Sequence, residues 1–219
     1  MVRLGGLRCE EIQEEVAFLI EDYGISQYPF SIWELLNKLK IDTIPYSKLP
    51  EEVAALMRRM RLDAITIRPE NFEVTKTTVY YDDAPSISRQ RIRFTLAHEV
   101  GHLVLQHPGD GDEIYEAEAN NFARYLLAPD PLVIRDSQFD PEIIQCDFDI
   151  SFSCAQVVCE RSAKRERWGV NYAYRLREGH SWLLRRGGRW SSCLCVNKRP
   201  VGNCNFQRAG AGMVCSATQ

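Results

Sequence analysis

Apolar residues fall at Ile12, Val16, Leu19, Ile20 and Tyr23, the spacing of one helix face, and Gly24 supplies a stop, so a first helix is predicted over 10–23. Ser31 followed by Glu34 makes a capping box, and Trp33, Leu35, Leu36 and Leu39 form the buried side of a second helix over 32–40. The stretch 41–46 reads as a short strand, with Pro45 near its end, and 51–61 as a short helix. Two runs rich in β-branched and aromatic residues, 63–67 and 77–81, read as neighbouring antiparallel strands. Long helical patterns follow over 88–107 and 113–128, closed by Pro108-Gly109 and Pro129. Beyond Pro131 the periodicity weakens. Two short helices are predicted around 141–146 and 152–164, and no pattern is evident from about 180 onward.

This order predicts an α+β fold, a small antiparallel sheet beside a helical pair with further helices at both ends. Three segments are drawn: a core over 1–135, a helical extension over 136–178 that has the look of a helix-turn-helix, and a Cys-, Arg- and Gly-rich tail over 179–219. The extension is expected to pack on the core.

Composition narrows the function classes. The chain has 219 residues, 45% hydrophobic and 26% charged, with a formal net charge of −3. That is the balance of a globular protein, and the absent basic excess does not favour direct nucleic-acid binding. No apolar run reaches the ~18–20 residues that span a bilayer, and the start does not read as a secretory signal. A cytoplasmic location is therefore expected, with the eight cysteines as reduced thiols or metal ligands. In the tail, Cys193, Cys195, Cys204 and Cys215 lack the paired spacing of a zinc knuckle, so a second metal site is not favoured.

The chemistry concentrates in His98-Glu99-Val100-Gly101-His102. Two histidines four apart on a helix share a face and can aim ring nitrogens at one ion. Zinc (Zn²⁺) with a third ligand, an open position for water and Glu99 as general base would make a hydrolase. Candidates for the third ligand are His107, Glu116 and Glu118. The metzincin spacing fails, because the required Gly and His positions hold Leu105 and Pro108, so His107 is expected to pack at the helix end. Glu116 and Glu118 flank the buried stripe of the next helix on opposite sides, and helical geometry does not choose between them. Gly101 inside the helix suggests that another element packs tightly there.

The segments Arg91–His107 and Glu116–Pro129 resemble the two signature blocks of the ImmA/IrrE-type metallopeptidases, and Val79-Tyr-Tyr-Asp82 is similar to the strand before that family's active-site helix. The similarity extends over about 10–165 and is strongest over 63–129. The resemblance implies a zincin-like fold and a zinc endopeptidase, with His98, His102 and Glu118 as metal ligands and Glu99 as the catalytic base. It also implies a protein substrate, a helix-turn-helix repressor of a mobile element or stress response.

In that mechanism a bound water has its pKa lowered toward ~7, and Glu99 takes its proton and passes it to the leaving amine. The strand at 77–82 is a candidate edge for an extended peptide. Tyr80, Tyr81 and Tyr115 are candidate oxyanion donors, although packing is the more ordinary role for each. Arg91 and Arg93 are expected to serve structure by pairing with Asp82, Asp83 or the acidic helix. The competing readings are a non-catalytic regulatory or immunity-type binding protein on the same fold, and a broad-specificity peptidase.

Overall fold

A computed structural model describes residues 4–69, 76–109, 111–137, 139–167, 204–209 and 212–217. Helices α1 (Gly6–Asp22) and α2 (Ile32–Lys38) precede strand β1 (Asp42–Pro45) and helix α3 (Glu51–Arg59). Strands β2 (Ala64–Ile67) and β3 (Thr78–Tyr81) lead into helices α4 (Arg89–Val104) and α5 (Glu113–Leu127). Helices α6 (Asp130–Asp136), α7 (Pro141–Phe148) and α8 (Phe152–Arg167) follow. In the tail, β4 (Cys204–Ala209) and β5 (Gly212–Ala217) pair as an antiparallel hairpin, with Phe206 opposite Cys215. Cys193 and Cys195 lie outside the described residues, so the tail cysteines are not brought together or separated here.

Side-chain caps start the helices where the sequence places polar residues before apolar stripes. Ser31 accepts from the Glu34 N–H, Ser88 from Arg91, Asp112 from Ile114 and Asp140 from Glu142. Helix α6 is not among the expected elements, because the pattern weakens beyond Pro131. Pro129, read as the end of α5, is its N-cap, and Pro131 sits in its first turn, where a missing N–H costs nothing.

The three-stranded sheet has the order β1-β3-β2. β2 runs antiparallel to β3, as expected, with Ile65 opposite Tyr80. β1 runs parallel to β3, with Ile44 opposite Tyr80, so the sheet is mixed rather than antiparallel. Strand patterning reports which residues face a core but not strand direction. The connection through α3 and β2 is long enough to bring the chain back in parallel. It also makes β3 central. The expectation that 77–82 offers a free edge is thereby corrected: the edges of this sheet are β1 and β2.

One apolar core joins nearly every helix. Ile12, Val16 and Ile20 of α1 meet Leu36 of α2, Val79 of β3, Leu96 and Val100 of α4, and Phe122 and Leu126 of α5. Ile144 and Phe148 of α7 and Ala155 and Val158 of α8 belong to the same cluster, so the helices after 136 pack on the same core as the rest. Two buried ionic anchors fix these helices. Arg93, 1% exposed, donates to the carbonyls of Phe30 (3.2 Å), Phe148 (3.0 Å) and Asp149, and pairs with the Asp149 carboxylate at 3.2 Å. A cation at the carbonyl end of α7 is favourable there. Asp130, fully buried, accepts from Arg161 Nε (2.8 Å), Ser162 Oγ (2.9 Å) and Arg165 Nη1 (3.2 Å) of α8. Arg165 also donates to Gln13 of α1. No helix among the described residues is long and apolar enough to cross a membrane.

Candidate metal centre

Helix α4 carries the two histidines and α5 carries the acid that meets them. Gly101 sets how closely the two helices approach. A Cβ at that position would lie 3.1 Å from Phe122 Cβ and Cδ1 and 3.2 Å from Ala119 Cα. The close approach expected from the glycine is therefore made by α5, whose first turn is swung toward the histidines.

The Nε2 atoms of His98 and His102 face each other at 2.9 Å. Glu116 Oε2 lies 3.3 Å from His98 Nε2, and Glu116 Oε1 lies 3.4 Å from His102 Nε2. One ligand atom from each of these three residues fits within 4.8 Å of the others. In a tetrahedral zinc site with Zn–N of about 2.0–2.1 Å, neighbouring ligand atoms sit about 3.3–3.4 Å apart. The carboxylate spacings match this. The histidine pair would open by about half an ångström to match it. Two imidazoles and one carboxylate are also the donor set of open, catalytic zinc sites. The residues present therefore fit a divalent metal ion.

The sequence reading took Glu118 as the third ligand by resemblance. The structure instead brings Glu116 to the histidines. Glu118 accepts from Arg8 at both oxygens (Nε to Oε1 2.8 Å, Nη2 to Oε2 2.6 Å) and lies 3.0 Å from His107 Nε2. Residues two apart on a helix are separated by about 200° around the axis, so the two acids leave α5 in different directions. The guanidinium of Arg8 holds the Glu118 carboxyl below the ordinary carboxylate range. Arg8 lies on α1, far away in sequence, and no local spacing could have revealed it as the partner.

Glu99 lies beside the pair, with Thr66 Oγ1 of β2 donating to its Oε2 at 2.5 Å. Burial raises the Glu99 pKa, opposed by the Thr66 hydrogen bond and by His98. Burial pushes His102 down to about 4, helped by the neighbouring His98, His107 and Arg68. At neutral pH it is therefore the uncharged imidazole that a metal needs. Arg68, just past β2, donates to the His102 carbonyl at 3.1 Å.

The remaining candidates take structural places. His107 is buried, as expected for the helix end, but its ring does more than pack: its Nδ1 lies 3.0 Å from His102 Nδ1. Tyr115 stacks on His107 with centroids 4.8 Å apart, Tyr81 packs against the core, and Tyr80 sits on the central strand. Arg91 pairs with Asp63 at 2.5 Å, while Arg58 pairs with Asp82 at 2.9 Å, so the arginine partners differ from those expected. Thr66 was missed. A threonine in a short strand carries no signal until the strand is placed over α4.

No curated protein matches this chain. Residues 51–145 match the peptidase family described as the IrrE N-terminal-like domain, a span that holds β2, β3, α4 and α5 and therefore every residue of the His98, Glu99, His102 and Glu116 cluster. The match agrees with the resemblance read from the signature blocks and supports metallopeptidase activity. Over residues 51–145 the chain is thus similar to the IrrE N-terminal-like domain of that peptidase family.

Proposed function

We propose that this protein is a zinc-dependent endopeptidase, with His98, His102 and Glu116 holding the ion and Glu99 acting as general base. The observation that carries this is the convergence of three ligand atoms within 4.8 Å beside a carboxylate on the same helix. A bound zinc ion would polarise the scissile carbonyl and acidify a water. Glu99, its pKa raised by burial, accepts that water's proton and returns it to the leaving amine. Thr66 holds the Glu99 carboxylate in place from the sheet. Because β2 is an edge strand and carries Thr66, it is the strand to which an extended peptide adds by main-chain pairing.

The family resemblance supports a protein substrate of the helix-turn-helix repressor class, and a cytoplasmic setting suits such a partner. The net charge of −3 supports recognition of the repressor itself rather than of its DNA.

The test is zinc content together with cleavage. Wild type, Glu99→Gln and Glu116→Ala are purified without chelator and incubated with a helix-turn-helix repressor encoded beside the protein's gene. About one zinc per chain in wild type and Glu99→Gln, cleavage by wild type alone, and loss of zinc in Glu116→Ala are expected. A wild type that binds no zinc would sink the peptidase reading and leave a binding protein on this fold.

A further inference from the structure

We infer that His107, Glu118 and Arg8 form a positioning chain that sets the ring tautomer of His102, so that its Nε2 lone pair faces the metal position. The inference rests on the zinc-site reading above and extends it to three residues that touch neither metal nor substrate.

The chain is continuous. Arg8 grips both oxygens of Glu118 at 2.8 and 2.6 Å. Glu118 Oε2 is 3.0 Å from His107 Nε2, and His107 Nδ1 is 3.0 Å from His102 Nδ1. His102 Nε2 then points at His98 Nε2 and Glu116. His107 and Glu118 are 2% and 5% exposed, so water does not substitute for these contacts.

The hydrogens follow by elimination. A carboxylate held by a guanidinium only accepts, so His107 must carry its hydrogen on Nε2. With a single ring hydrogen, placed there, His107 presents a lone pair at Nδ1. Two lone pairs do not face each other at 3.0 Å, so His102 must carry its hydrogen on Nδ1. That leaves the lone pair of His102 on Nε2, the atom aimed at the metal position. A carboxylate that orders a ligand histidine is a recurring outer-shell device; here a second histidine lies between the two and relays the order. Arg8, which also pairs with Glu11 at 3.0 Å, brings a compensating cation to the buried Glu118 carboxylate.

Two measurements test this on the full chain. Long-range ¹H–¹⁵N correlation on metal-free, ¹⁵N-labelled wild type reads each ring directly. The expected result is hydrogen on Nδ1 of His102 and on Nε2 of His107. Hydrogen on Nε2 of His102 overturns the proposal, and so does a doubly protonated His107, because that ring would donate toward His102. This measurement needs no variant and is unaffected by one that fails to fold.

Zinc affinity is then measured by chelator competition for wild type, Glu118→Gln, His107→Phe and Glu116→Ala. Binding weaker by about 10–100-fold is expected in Glu118→Gln and His107→Phe, with a larger loss in Glu116→Ala. Affinity within about twofold of wild type in both outer variants overturns the proposal. Loss in Glu118→Gln equal to that in Glu116→Ala also overturns it, because Glu118 would then be a ligand. Wild type that binds zinc with the wrong tautomer removes this inference alone; wild type that binds none removes the metal-centre reading itself.

Discussion

Thr66 and Glu99 are joined by a 2.5 Å hydrogen bond that ties the edge strand β2 to helix α4. The hydroxyl is the donor and fixes Oε2 of the carboxylate. Replacing Thr66 with Val keeps shape and β-propensity but removes the donor. A hydrogen bond to a charged group contributes about 1.5–3 kcal/mol, so kcat should fall by roughly 10–100-fold. Zinc content should stay at the wild-type level and KM should change little, since the substitution leaves the proposed main-chain pairing with β2 untouched. Steady-state kinetics with zinc analysis checks the split.

Gly101 permits the approach of α5 that brings Glu116 to the histidines. Alanine there gains about 1 kcal/mol of helix propensity but meets Phe122 and the Ala119 backbone at 3.1–3.2 Å. Overpacking of this kind costs about 1–3 kcal/mol, and backbone yields less readily than a side-chain tip. A net loss of about 1 kcal/mol is expected, a drop of about 2–4 °C in thermal midpoint. Zinc affinity should weaken in parallel, because pushing α5 away moves Glu116 from His98 and His102. Calorimetry with and without zinc separates the two effects.

Asp130 is the anion that seats α8. Its oxygens accept from Arg161, Ser162 and Arg165, and the residue is fully buried. Asp130→Asn keeps the volume but leaves buried guanidinium charge uncompensated, at a cost of about 3–5 kcal/mol. The thermal midpoint should fall by on the order of 10 °C, measured by circular dichroism. A change of under about 2 °C would mean that the arginines reach solvent or other partners.

Two buried tyrosines predict an alkaline limit. Tyr28 donates to the Leu126 carbonyl at 3.1 Å and Tyr46 to the Leu62 carbonyl at 3.2 Å. Burial raises both phenol pKa values, that of Tyr46 to about 12. An unfolded tyrosine ionises near pH 10, so between about pH 10 and 12 the unfolded state has lost a proton the folded state keeps. Their contribution is full below pH 10 and fades as pH rises through that window. Urea midpoints measured across it should decline, and Tyr46→Phe should flatten the decline.

Much of this architecture was legible because local chemistry dictated it. Ser31, Ser88, Asp112 and Asp140 cap helices where polar residues precede apolar stripes, and His98 and His102 share a face because helices repeat every 3.6 residues. Gly101 announced a close neighbour before that neighbour was known. What stayed hidden depends on pairing across the fold. The direction of β1 is set by the crossover, not by its side chains. The choice between Glu116 and Glu118 turns on Arg8, a residue of α1 that reaches α5 only in the folded chain. Resemblance to the signature block pointed to Glu118, while helix packing brought Glu116 to the histidines. The part played by Thr66 became visible only once β2 lay over α4.

The placement of Arg8 and Gln13 bears on how this protein could be recombined with its relatives. Both residues sit on α1, outside the matched span 51–145; Arg8 grips Glu118 inside that span, while Gln13 receives Arg165 of α8, which itself pairs with Asp130 inside it. A chimera that exchanged only the matched span would inherit α4 and α5 without the arginine that holds Glu118. It would also face a foreign helix with the wrong complement at α8. The unit of transplantation is therefore three separate stretches of chain, and grafts made at the family boundary should fail where grafts carrying α1 and α8 as well succeed.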